Sequence, residues 1–211
     1  MGEVLRRIVE SAILQEVQDD CVSSLKPLQV SVGICDATTQ IARLCSLQLP
    51  SLSMDQTVGM LQIDMVNAFN TLSRACILRQ VKRHAPQAYR WALWSLSHRS
   101  VLVCQNSLVY WQAGVQQGSP LGPLLFSLGL HEIIKPIATD PEYQGTWQTW
   151  FLDDGTLIGP LTLLEKILAK LTPSLDAVHL QVNLSKTVVF TTGSVETFPF
   201  LSKITRISAS D

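Results

Sequence analysis

Three acidic residues stand where acids are costly. Asp64 lies near the end of the apolar run 58–66 (VGMLQIDMV), and Asp153 and Asp154 follow the apolar stretch that ends at Phe151-Leu152. Carboxylates beside buried strands cost free energy unless they are paired or bound to metal. If the two strands are neighbours, Asp64 and Asp153 converge, and hard divalent cations relieve their repulsion through oxygen ligands. Two such ions about 3.5–4 Å apart clamp the attacking and leaving oxygens of a phosphoryl transfer. Each acid has a plain alternative. Asp153-Asp154-Gly155 taken alone is a tight turn, and Asp64 could simply end a strand in solvent.

The elements that must position these acids follow from periodicity. Paired apolar residues at Val4-Leu5, Ile8-Val9 and Ala12-Ile13 predict an amphipathic helix. A second helix is predicted from an Asp36 cap to Pro50. Residues 58–66 predict a buried strand. Helices are predicted from residues 70–73 to just before Pro86, and from about Gln87 to Leu96. Residues 101–104 and 108–111 predict a hairpin. Ser119-Pro120 opens a helix to about Lys135, and a hairpin is expected around the Asp154-Gly155 step, between strands 146–152 and 156–158. A helix over 161–171 and a strand over 187–191 complete the series, with an irregular end from Thr192. Hairpins mixed with helices predict an α+β fold.

Composition narrows the class. With 46% hydrophobic and 16% charged residues among 211, the chain can bury a core. No stretch reaches the 18 or so apolar residues of a membrane helix, and no signal peptide is evident. A soluble, intracellular protein without a membrane partner is expected, nucleus and cytoplasm being indistinguishable. Cys21, Cys35, Cys45, Cys76 and Cys104 form no CxxC pair, so reduced, packed thiols are expected. The net charge of -1 counts mildly against a nucleic-acid grip.

The segments between the acids alter that balance. Residues 61–72 (LQIDMVNAFNTL), 114–125 (GVQQGSPLGPLL) and 151–159 (FLDDGTLIG) resemble, in order and spacing, motifs A, B and C of non-LTR retrotransposon reverse transcriptases. Residues 180–190 (LQVNLSKTVVF) are similar to motif D. Residues 2–7 (GEVLRR) and 27–36 (PLQVSVGICD) resemble the segments joining fingers to palm. The resemblance implies a polymerase palm: an antiparallel sheet with helices on one face, and fingers and thumb largely absent. It implies that Asp64 and Asp153 hold two Mg²⁺ ions, for which Mn²⁺ could substitute, with Asp154 a lesser contributor. It makes Phe69 the steric gate against a ribose 2′-hydroxyl, places Gln117 and Gly118 along the incoming nucleotide and template, and makes Lys186 the proton donor to pyrophosphate. Without the resemblance, Phe69 reads as a core aromatic and Lys186 as a solvated turn residue. Arg79, Lys82, Arg83 and Arg90 read as a solvated helix face that could touch phosphate.

The expected division is 1–50 as connecting helices, 51–192 as palm and 193–211 as a truncated tail. The expected partners are an RNA template, a DNA primer and dNTP, with fingers and thumb supplied by a longer parent chain. One departure from the family pattern is Ser119, where aspartate often follows the motif B glycine. RNA-directed DNA polymerase is the leading reading. A non-catalytic remnant that folds and binds nucleic acid weakly stands as the alternative. An RNA-dependent RNA polymerase is disfavoured by the aromatic at position 69.

Overall fold

The computed structural model describes residues 2–97, 100–104 and 107–208. The chain opens with α1 (Gly2–Leu25) and α2 (Ala37–Met54), then β1 (Val58–Ile63). A short helix α3 (Ala68–Thr71) leads to α4 (Arg74–His84) and α5 (Pro86–Ser97). The strands β2 (Ser100–Cys104) and β3 (Ser107–Trp111) form a separate two-stranded sheet. Next come α6 (Gly122–Ala138), β4 (Trp147–Phe151), β5 (Asp154–Pro160), α7 (Leu161–Asp176), β6 (Val188–Phe190) and β7 (Thr205–Ile207). The main sheet has five strands in the order β4-β5-β1-β6-β7. All its pairings are antiparallel except β6 with β7.

Alternation along β1 and β5 divides the two faces, as the pleat requires. Leu61, Ile63 and Leu157 enter the main core with Leu124, Phe126 and Leu128 of α6 and Leu164 and Leu168 of α7. Their neighbours Met60 and Ile158 join Leu52 of α2 in a smaller cluster. The helices thus bury one face almost completely, and α2 adds cover on the other.

Three predicted helix ends fall short of the real ones. Helices α2, α6 and α7 carry Pro50, Pro136 and Pro173 inside them. A proline costs a helix one backbone hydrogen bond and some bending. Here the residues beyond it hold the helix in place, because Leu52, Ile137 and Leu175 are buried. The C-terminal segment is also more regular than expected. Val195, Leu201 and Ile204 are buried, and β7 extends the sheet edge. The predicted turn residues Gln105 and Asn106 lie outside the described residues. Among the described residues no helix is long and apolar enough to cross a membrane.

Candidate active site

Strand register brings the acids together. In the β1–β5 ladder Ile63 faces Gly155, so Asp64 and Asp154 occupy the next step at the same end. Phe151 pairs with Asp154 across the β4–β5 hairpin, which makes Leu152-Asp153 its two-residue turn. The expected turn at the Asp154-Gly155 step is therefore displaced by two residues. Gly155 serves another purpose: a Cβ there would come within 2.6 Å of the Trp150 ring, which is buried across the ladder. The glycine accommodates the indole, and the backbone bends elsewhere.

Leu152 takes the bend with φ +55°. That conformation costs a side-chain-bearing residue roughly 1–2 kcal/mol, so the surroundings must hold it. The Gln29 side chain does so. Its Nε2 donates to the Leu152 carbonyl at 2.7 Å, and its Oε1 accepts the Leu152 N–H at 3.2 Å.

Asp64 is held by motif D. Its carbonyl accepts the Asn183 N–H at 2.8 Å, and its N–H donates to Thr187 Oγ1 at 3.2 Å. One step on, Met65 bridges Val182 and the Val66 N–H reaches the Gln181 carbonyl. Both peptide groups of Asp64 are thus fixed, while its side-chain Oδ2 is buried without a hydrogen-bond partner. Thr187 is fully buried. Sequence reasoning missed Thr187 and Gln29. Neither offered a local sign of importance.

Burial and then charge act on the other two acids. The Asp153 carboxyl is pushed above the ordinary aspartate range chiefly by desolvation, and further by the charge of Asp64, against the pull of its own backbone N–H. Asp154 is raised first by desolvation, then by Asp153 and Asp64, and is lowered by Lys186. A cleft of about 340 Å³ is lined by Asp64, Asp154, Gly155, Thr156, Lys186 and Gln62. The charges of Asp64, Asp153 and Lys186 thus reach Asp154, and Lys186 is solvent-exposed where it lines the cleft.

Motif B is placed by a close approach. Gly114 has φ +66°, and a Cβ on it would collide with the Phe69 carbonyl. Its N–H donates to the Leu72 carbonyl at 2.9 Å, and Val115 N–H to that of Phe69 at 2.7 Å. The Phe69 ring is half-buried and stacks on Phe126, with centroids 4.6 Å apart and planes 7° from parallel. Gln117 and Gly118 are exposed on the loop, Gly118 at φ +85°. Although α6 begins two residues later than predicted, after Leu121, Ser119 Oγ accepts the Gly122 N–H at 3.2 Å. It also donates to Glu10 of α1 at 2.6 Å. Glu10 is buried and is further held by Arg6 at 2.9 Å. An aspartate at position 119 would set two carboxylates against each other, which accounts for the serine.

The basic face is partly committed elsewhere. Arg79 forms a two-pronged ion pair with Glu132, and Lys82 lies over the Tyr89 ring. Cys76 and Cys21 are buried thiols, pushed up to about 12 and about 11 mainly by burial. They are packing groups.

Two strand ends presenting three acids, with a glycine-led loop against the first of them, are an arrangement that a known family carries in this order. The family model described as reverse transcriptase (RNA-dependent DNA polymerase) matches residues 4–204. The chain belongs to the reverse transcriptase family. Its members are nucleotidyltransferases and are generally dependent on divalent metal. A retrotransposable element SLACS 132 kDa protein of Trypanosoma brucei gambiense is 33% identical over 135 residues, or 60% of this chain and 11% of that protein. The RNA-directed DNA polymerase from mobile element jockey of Drosophila funebris is 26% identical over 134 residues, or 61% of this chain and 14% of that protein. The retrotransposon type implied by the motifs is borne out, and the chain spans a small part of these relatives. Among solved structures, apo telomerase from Candida tropicalis aligns with a TM-score of 0.65 at 13% identity, over 85% of this chain and 36% of that one. The same enzyme in complex with a fragment of telomeric RNA aligns at 0.63. At such identity the likeness speaks for the fold, and that fold is the reverse transcriptase palm.

Proposed function

We propose that this chain is the catalytic core of an RNA-directed DNA polymerase that adds deoxynucleotides from dNTP to the 3′-hydroxyl of a DNA primer on an RNA template, within a longer retrotransposon protein. The observation that carries this reading is the meeting of Asp64, with its buried and unpartnered Oδ2, and the mutually repelling Asp153 and Asp154. Among the described residues no group of three or more histidine, cysteine or carboxylate side chains is placed to hold a metal ion by itself. Mg²⁺ is typically bound through one or two carboxylates together with water and substrate phosphates. Two Mg²⁺ ions, or Mn²⁺ in their place, would be held by Asp64 and Asp153 with Asp154 contributing. Bound there, they would lower the pKa of the attacking hydroxyl and neutralise charge on the leaving oxygens.

The remaining roles belong to the protein. Phe69, whose ring stacks on Phe126, would serve as the gate against a ribose 2′-hydroxyl. Gln117 and Gly118 offer exposed backbone and amide groups to nucleotide and template. Lys186, which lines the same cleft as Asp64 and Asp154, would serve as the proton donor to pyrophosphate.

Mn²⁺ binding followed by electron paramagnetic resonance tests the site, with dNTP incorporation on a primed RNA template measured on the same protein. Saturable binding lost in Asp64→Asn and in Asp153→Asn, together with any incorporation, is expected. Binding indifferent to both substitutions would sink the reading and leave a palm that folds without chemistry.

A further inference from the structure

We propose that Gln29 is a positioning residue for the aspartate pair, its amide clamping the Leu152-Asp153 turn in the conformation that points motif C at Asp64. The inference rests on the polymerase reading above for its purpose, though not for its geometry.

The main chain sets the register first. Trp150 N–H donates to the Leu28 carbonyl at 2.7 Å, and Val30 N–H to the Trp150 carbonyl at 2.9 Å. Residues 28–30 thus run parallel to β4 as an extra partner. Gln29, only 1% exposed, then reaches past the end of the strand. Its amide pairs with both backbone groups of Leu152, donor to acceptor and acceptor to donor, as a neighbouring strand would. Among neutral side chains of that length, only a primary amide offers both functions in one plane. Its orientation is fixed, because the Leu152 N–H needs an oxygen opposite it. Ser31 Oγ also donates to Gln29 Oε1 at 2.9 Å and lies 3.1 Å from Ser127 Oγ, which is fully buried in α6. A chain of three polar side chains therefore runs from the helix behind motif B to the turn that carries Asp153.

The residue that this chain clamps, Leu152, is under conformational strain. Leucine at φ +55° prefers to relax to negative φ, and relaxation would reorient the peptide leading into Asp153. Glycine would need no clamp there.

The experiment follows from that difference. Gln29→Met keeps the volume and removes both hydrogen bonds, and Leu152→Gly removes the strain. In the 211-residue chain, Gln29→Met is expected to speed amide exchange at Leu152 and to lower Mn²⁺ affinity about tenfold. Adding Leu152→Gly is expected to restore the affinity to within about twofold. A residue that merely fills the core would not be rescued by glycine at 152. If Gln29→Met leaves both readouts unchanged, or glycine fails to restore affinity, the proposal is overturned. Should Gln29→Met not fold, Ser31→Ala removes only the hydroxyl that orients the amide. A loss of about two- to threefold is then expected, again repaired by glycine, and an unchanged affinity overturns the proposal. If the native chain binds no Mn²⁺ through Asp64, the polymerase reading fails on its own account. The clamp is then judged by Leu152 amide exchange and by the three-bond coupling that reports its φ. Both must change in Gln29→Met for it to stand.

Discussion

Ser119 donates its hydroxyl proton to the buried carboxylate of Glu10 across 2.6 Å, joining the motif B loop to the first helix of the chain. The Arg6 guanidinium and the Trp91 indole N–H share the same carboxylate, at 2.9 and 3.4 Å. A buried acceptor that loses one donor costs about 1–3 kcal/mol. Ser119→Ala is accordingly expected to lower stability by about 2 kcal/mol in urea unfolding. Ser119→Asp should cost more than Ser119→Ala at pH 7 and recover as the pH falls. Equal stability of the two variants at pH 7 would show that the carboxylates do not face each other.

The raised acids predict a trade between stability and function. Asp153 and Asp154 hold their protons more tightly when folded than when unfolded. Their contribution is therefore most favourable in acid and is lost as the pH rises from the ordinary aspartate value through the folded one. At pH 7 both Asp153→Asn and Asp154→Asn should melt above the native chain, with the difference shrinking towards pH 4. Added Mn²⁺ should raise the melting temperature of the native chain and not that of Asp64→Asn. Thermal shift across pH, with and without metal, checks both statements.

Phe69 packs against the core and, in the reading proposed above, also selects the sugar. Most of its surface is covered and one face lies on Phe126. Phe69→Val should cost about 2 kcal/mol. In a polymerase-active protein carrying this chain it should also raise ribonucleotide use relative to deoxynucleotide, each 1.4 kcal/mol of lost discrimination being worth tenfold. Incorporation rates measured beside a melting curve separate the two effects. Unchanged sugar selectivity in a folded variant would leave Phe69 a packing residue only.

His131 acts in the opposite direction and makes stability fall in acid. It is buried in α6, its ring nitrogens make no well-formed hydrogen bond, and only the Ser24 backbone pulls weakly on it. Burial first, then Lys135 and His84, push it down to about 4. Between the ordinary histidine value of 6.5 and about 4, the unfolded chain binds the proton that the folded chain refuses. Stability should thus drop as the pH falls through that window, and His131→Leu should flatten the drop. Urea unfolding at pH 7 and pH 5 decides, and an equal loss in both proteins would assign the acid sensitivity elsewhere.

Much of the architecture was legible in the order of residues. The apolar run around Asp64 reads as a buried strand and the stretch before Asp153 as one arm of a hairpin, because their lengths suit strands. Motifs A to D, twelve residues each in A and B, carried the family. Where reading along the chain failed, local preference was overruled by distant contacts. Pro50, Pro136 and Pro173 look like helix stops, yet buried leucines and isoleucines beyond them keep the helices going. Asp154-Gly155 looks like the hairpin turn, yet Gly155 answers to Trp150 across the ladder and the bend falls on Leu152. Gln29 and Thr187 gave no local sign of importance, since each acts on a residue 123 positions away. Chemical identity can be read from side chains one at a time. The aim of a carboxylate depends on backbone torsions and hydrogen bonds between segments remote in sequence, and only the folded chain brings those segments together.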